Sequence, residues 1–254
     1  MQLVMTQPTH IEIEQACLLA WPALEEAHDG NWIARFSRGY TKRANCIQSM
    51  DPADDADACA RIDALVAQFR AQGIPPVFRV TPLAGPGTLA ALDAKGWQSF
   101  ETSLVLAMDM PEQAYPVAAT TRLFEAQDPE WRQVQGAMSG SSPGTLDTLG
   151  AILDRLAVPA RGIVLYDDDH RPAAAALAVN ADGMAIFLNV VTAPALRGQG
   201  YGRAVMHAAL NWSRQNGASR AAIQVLADNA QAVPLYRSLG FNHSYSYHYR
   251  RPVS

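Results

Sequence analysis

Three glycines alternate in Arg197-Gly198-Gln199-Gly200-Tyr201-Gly202, between an apolar run with strand character and a segment with helical periodicity. Glycine lets backbone N–H groups turn inward where a Cβ would obstruct. The helix beyond adds its unpaired first-turn N–H groups and the positive end of its dipole. Donors converging in this way suit a phosphate or pyrophosphate, and Arg197 or Arg203 could add charge beside it.

Three ligand chemistries compete for such a cradle. A Walker-type loop ends in Gly-Lys-Ser/Thr, which Gly202-Arg203-Ala204 is not. The dinucleotide pattern G-x-G-x-x-G, started at Gly198, puts Arg203 where its third glycine belongs and leaves too little chain for a doubly wound sheet. The third is coenzyme A. A plain tight turn ahead of a helix is the bland alternative.

The elements that must position the loop follow from hydrophobic spacing. A helix is expected within 10–29, two strands within Asn31–Met50 joined at Gly39-Tyr40, and a helix over Ala58–Gln72 with Ile62, Leu65, Val66 and Phe69 on one face. Strand Pro76–Val80, helix Thr88–Lys95 and strand Ser103–Met108 follow, then a linker at Pro111–Pro116. The second half reads as strand Thr121–Glu125, helices Trp131–Met138 and Leu146–Leu156, and strands Gly162–Tyr166, Ala174–Val179 and Ala185–Val191. After the glycine loop and its helix come strand Ala221–Leu226, helix Ala230–Leu239 and strand Phe241–Tyr249. This order favours a mixed sheet. The pattern strand, helix, strand, short helix, Gly-aromatic, strand occurs twice, at about 40–108 and 185–249, with Gly96-Trp97 and Gly240-Phe241 marking the same point. Where the second copy has its glycines, the first has Asp51, Asp54, Asp55 and Asp57, which would repel phosphate and are expected to cap the helix.

The 254 residues carry a net charge of −4, with 49% hydrophobic and 17% charged residues, so no basic footprint argues for nucleic acid or a membrane surface. Cys17, Cys46 and Cys59 are odd in number and lack metal-type spacing, which points to reduced thiols in a cytoplasm. The apolar region Ala173–Val191 is broken by Asn180, Asp182 and Asn189 and reads as paired strands.

Two motifs resemble the GNAT superfamily of N-acetyltransferases. Its pyrophosphate signature, Arg/Gln-x-x-Gly-x-Gly/Ala, is matched by Arg197, Gly200 and Gly202. Its second, Asn a few residues before Leu-Tyr-x-x-x-Gly-Phe, is matched by Asn229 and Leu235-Tyr236-Arg237-Ser238-Leu239-Gly240-Phe241. The resemblance covers about 120–250 and implies an α+β fold, a mixed and mostly antiparallel sheet flanked by helices. It also implies two tandem halves, a degenerate one at 1–112 and a catalytic one at 118–254. Acetyl-CoA is the implied co-substrate, without a metal. Backbone amides over Gly198, Gln199, Gly200, Tyr201, Gly202 and Arg203 would hold the pyrophosphate, and the edge Asn189, Val190, Val191, Thr192 would pair with the pantetheine amides. The resemblance puts the Tyr236 hydroxyl beside the sulfur as general acid, and Asn229 on the pantetheine arm or ordering the site. The degenerate half has Leu92 at the place of Tyr236.

The expected reaction is acetyl transfer to a primary amine, small-molecule or peptide, by direct attack in a ternary complex, in a monomer or homodimer. A non-catalytic acyl-CoA sensor is the alternative. No carboxylate lies on strand Ala185–Val191, so Glu125, Asp128, His243 and His248 are the candidate bases. Pro234 is expected to cost a hydrogen bond or bend its helix. Alternating His243, Tyr245, Tyr247 and Tyr249 read as one face of a half-buried strand, and Lys42, Arg43 and Asn45 as a solvated strand face that could line a cleft between the halves.

Overall fold

The computed structural model describes residues 8–253. Helix α1 (His10–Ala20) opens with a capping box, in which the Thr9 hydroxyl accepts from the Glu12 N–H at 3.3 Å and the Glu12 carboxylate accepts from the Thr9 N–H at 2.7 Å. Strands β1 (Glu25–Asp29) and β2 (Trp32–Phe36) form a hairpin around Gly30, whose φ of +57° suits the tight turn. Strand β1 was not expected, because Glu-Glu-Ala-His-Asp shows no apolar alternation and is largely exposed.

Next come β3 (Ile47–Ser49), α2 (Ala58–Ala71), β4 (Phe78–Val80), α3 (Pro86–Ala94) and β5 (Gln98–Asp109). The four apolar residues expected on one face of α2 are all buried. The second half runs β6 (Thr121–Glu125), α4 (Pro129–Ser139), α5 (Pro143–Leu153), β7 (Ala160–Tyr166), β8 (Pro172–Ala181), β9 (Met184–Thr192), α6 (Tyr201–Gln215), β10 (Arg220–Leu226), α7 (Ala232–Ser238) and β11 (Asn242–Arg251).

All eleven strands join one sheet in the order β1-β2-β3-β4-β11-β5-β10-β9-β8-β7-β6. Pairing is antiparallel except at β3·β4 and β9·β10, each joined by a helical crossover, α2 or α6. These are the corresponding steps of the two repeats. Both repeats also close their short helix alike: the Trp97 N–H donates to the Leu92 carbonyl at 3.0 Å, the Phe241 N–H to the Tyr236 carbonyl at 3.1 Å, with Gly96 and Gly240 at positive φ between. The fold is therefore a mixed sheet in two tandem halves.

The halves exchange their last strands. Strand β5, which ends the first repeat, pairs along β10 of the second, from Ser103↔Leu226 to Asp109↔Arg220. Strand β11, which ends the second, pairs with β4 of the first as well as with β5.

Alternate residues of the second-half strands face two cores. Ala174, Ala176, Ala178, Ala185 and Phe187 pack with α6 and α7, while Ala175, Leu177, Val179, Ile186 and Leu188 pack with α1, α4 and α5. A third core joins α2 and α3 to β2–β4.

The acidic loop of the first repeat differs from expectation. Asp57 sits at φ +54° ahead of α2 with no side-chain cap bond. Asp54 instead accepts the Asn31 N–H at 2.6 Å and pairs with Arg61, and Asp55 accepts the Gly87 N–H at 2.6 Å. Carboxylates bound to N–H donors hold this loop together. Nor is Lys42–Ala44 a strand face: it is a 3-10 turn, and Asn45 is buried, taking the Ser37 and Gly39 N–H groups at 2.7 and 3.0 Å.

Candidate active site

Parallel pairing of β9 with β10 ends at Phe187↔Ile223, and beyond that point the two strands part. Strand β9 keeps its partner β8, but Ala175↔Val191 and Leu177↔Leu188 leave an extra residue on β9, a bulge at Asn189-Val190. Asn189 has φ +50°, which asparagine tolerates, and its buried Nδ2 has no partner. From Leu188 to Thr192 the β10-facing edge of β9 is unpaired.

The glycine loop leaves the end of this edge. Gly198 and Gly200 have φ of +77° and +88°, and a Cβ at either would meet nothing within 4 Å, so backbone conformation is the reason for glycine there. The N–H groups of Gly198, Gln199, Gly200, Tyr201 and Gly202 donate to no backbone carbonyl. They stand at the N-terminus of a 15-residue helix with no acidic residue in its first turn. Arg197 is exposed and has no hydrogen bond or ion pair among the described residues, and Gln199 reaches the Ala195 carbonyl at 3.4 Å.

Gly202 has a different reason. A Cβ there would lie 3.1 Å from Thr192 Oγ1 and 3.4 Å from Leu235 Cδ2, so the end of β9, the first turn of α6 and helix α7 close up on this residue. Arg203 Nη2 donates to Ser238 Oγ at 2.8 Å and ties α6 to α7 a second time. Asn229 Oδ1 accepts the Ala232 N–H at 2.9 Å, which fixes where α7 starts. The Val233 N–H already closes a turn on the Asn229 carbonyl at 3.1 Å, so Pro234 stands one place beyond, where an N–H would reach the Ala230 carbonyl; the proline removes that bond, as expected, and the regular helix begins only at Ala232.

Tyr236, next to Leu235, is only 6% exposed, with its ring edge-on to Phe241 at 6.2 Å. Burial pushes its phenol up to about 12, so it keeps its proton at neutral pH. The structure thus gathers the end of β9, the glycine loop and the helix of Tyr236 around Gly202.

None of the four candidate bases lies there. Glu125 pairs with Arg161 on edge strand β6, and Asp128 caps α4 through the Glu130 N–H at 2.8 Å. His243 is exposed, bonded to Ser246 at 2.9 Å, and a register shift separates it from buried Tyr245, Tyr247 and Tyr249. His248 pairs opposite Val80 on the first-half side of β11. Among the described residues no group of three or more His, Cys, Asp or Glu side chains could hold a metal, and no helix is long and apolar enough to cross a membrane.

Sequence reasoning missed a buried polar cluster on the other face of the sheet. Glu14, 1% exposed, takes both terminal nitrogens of Arg79, one at 3.0 Å, and also the Tyr245 hydroxyl. The Arg79 guanidinium lies 3.9 Å from the Tyr247 ring centre, and the Tyr247 hydroxyl donates to Gln224 Oε1 at 3.0 Å. The available signal was an acid on the same stripe of α1 as Cys17, but its partners are remote in sequence.

The chain is 27% identical over 244 residues to "Uncharacterized N-acetyltransferase YobR" of Bacillus subtilis (strain 168), covering 94% of this chain and 97% of that protein. A GCN5-related N-acetyltransferase from Kribbella flavida superposes with a TM-score of 0.73 at 17% identity, covering 98% of both chains. A tandem GNAT protein from the clavulanic acid biosynthesis pathway gives 0.64 at 12% identity, over 96% of this chain and 87% of that one. The family model described as "Probable histone acetyltransferase Rv0428c C-terminal" matches residues 10–250, and the chain belongs to that family of the GNAT N-acetyltransferases.

Proposed function

We propose that this protein moves an acetyl group from acetyl-CoA to a primary amine by direct attack in a ternary complex. One observation carries the reading: unbonded N–H groups, an unpaired strand edge and the helix that bears Tyr236 meet around Gly202. The N–H groups over Gly198–Gly202 would take the pyrophosphate, the Arg203 N–H being held by the Gly200 carbonyl at 3.0 Å; Arg197 would add charge, and residues 189–192 would pair with the pantetheine amides. The residues fit the co-substrate, since the orphaned Asn189 amide and the open loop donors are partners in waiting for acceptor atoms.

Acetyl-CoA supplies the activated thioester. The chain supplies proximity by holding both reactants in one cleft, and Tyr236 holds the proton that the departing thiolate needs. Residues 118–254 carry these groups, while 1–112 wall the opposite face.

Thiol release from acetyl-CoA across a panel of amines tests the reading, together with stabilisation by CoA. Tyr236→Phe, which keeps the buried ring, is expected to lower kcat about 100-fold with KM for acetyl-CoA within a few-fold. Equal turnover removes Tyr236 from the acid role. CoA binding without turnover of any amine favours a sensor.

A further inference from the structure

A narrow cavity lies on the face of the sheet opposite α6, beneath the point where β9 and β10 part. Leu188 of β9 and Gln224 of β10, the residue after the last parallel pair, form one side, and Glu14 of α1 with Arg35, Arg43 and Arg79 form the other. The space between its lining atoms comes to about 310 Å³, part of it open to solvent, and only a small part of it is wide enough for water. The first half therefore contributes most of the polar lining of a pocket that the second half opens.

Its polar groups have an unbalanced account. Both Glu14 oxygens are used by Arg79 and Tyr245, so this carboxylate is already neutralised. The Arg35 guanidinium is taken up by Glu26 at 3.1 Å and by the carbonyls of Arg43 and Trp21. What remains is donor-only. Among the described residues, Arg79 Nε is buried with no acceptor, and the half-buried Arg43 side chain makes no hydrogen bond or ion pair. A guanidinium in a tight, partly dehydrated cavity favours a negatively charged, planar acceptor group, which it can hold through two parallel hydrogen bonds.

We infer that this cavity is the acceptor pocket and that the acceptor is a small amine bearing a carboxylate, of the amino-acid type, its carboxylate held by Arg43 and its amine presented at the parting of β9 and β10. The inference rests on the acetyl-transfer reading. In the reaction the amine nitrogen forms the C–N bond as the C–S bond breaks; the thiolate receives the Tyr236 proton, and the nitrogen loses one to solvent, from which the phenolate is reprotonated. The products are an N-acetylated carboxylate and free CoA. The tightness of the cavity argues for a compact molecule over a protein tail.

The test compares amino acids, their C-terminal amides and a lysine-bearing histone-tail peptide in thiol release from acetyl-CoA with the full-length protein. Carboxylates should exceed their amides at least 10-fold in kcat/KM. Arg43→Ala should raise KM for the carboxylate acceptor at least 10-fold, erase that discrimination and leave KM for acetyl-CoA within 2-fold, while Arg43→Lys restores part of it. Equal use of amides, preference for the peptide, or an Arg43→Ala enzyme with unchanged discrimination overturns the inference while leaving acetyl transfer intact. If no amine turns over, thermal shifts by the same amino acids on the CoA-loaded protein decide: a shift lost in Arg43→Ala supports the pocket, and no shift overturns it. Absence of CoA binding altogether is the distinct failure of the parent reading.

Discussion

Tyr236, which we propose as the general acid, also bears on the stability of the fold. Its phenol is held up to about 12 by burial, whereas in the unfolded chain it ionises near 10. Between those values the native state keeps a proton that the unfolded state has lost, so this contribution to stability is full below pH 10 and disappears as pH rises through 12. At pH 11 the loss amounts to about 1.4 kcal/mol from this one group. Urea unfolding at pH 8 and pH 11 should therefore show a smaller alkaline loss in Tyr236→Phe than in the wild type, by roughly that amount. An identical loss would mean that the phenol titrates in water. Leu92, at the matching place in the first repeat, is fully buried and has no such group to lose.

Elements explain what could be read in advance and what could not. The glycine loop and the Tyr236 helix were legible because their signals are local: residues a few positions apart decide the turn, the cap and the donors. The lost bond at Pro234 was legible for the same reason, since only the carbonyl four residues back is involved. Strand β1 was invisible because its side chains are mostly solvated and only the hairpin at Gly30 gives it a partner. Glu14 and Arg79 meet only when α1 lies on the sheet, so no spacing along the chain announces the pair. The loop also allows a controlled comparison. At Gly200, φ +88° with open space around the missing Cβ, alanine should cost about 1–2 kcal/mol through conformation alone, and CoA affinity should fall with it. At Gly144, in the first turn of α5, a Cβ also meets nothing within 4 Å and φ is not positive, so alanine should be neutral or stabilising by up to ~1 kcal/mol. Thermal melts with and without CoA check both; a Gly200→Ala protein as stable as Gly144→Ala would refute the conformational argument.

At the scale of the molecule, the strand exchange makes the halves interdependent. Without β5, the apolar edge of β10 at Ala221, Ala222, Ile223 and Val225 has no partner; without β11, neither β4 nor β5 is covered on that side. Fragments 1–112 and 118–254, made separately, should each lack a cooperative thermal transition, and mixing them should restore one, followed by circular dichroism. A fragment that melts cooperatively alone would show that its own strands suffice. The same exchange sets a timetable for a nascent chain. Strand β11 leaves the ribosome after every other described strand, and until it does the N-terminal repeat must wait with a vacant lane in its sheet. Contacts this distant along the polypeptide make for slow, late closure and a long interval of vulnerability to wrong partners, a hazard inherited from the architecture whatever the enzyme acetylates.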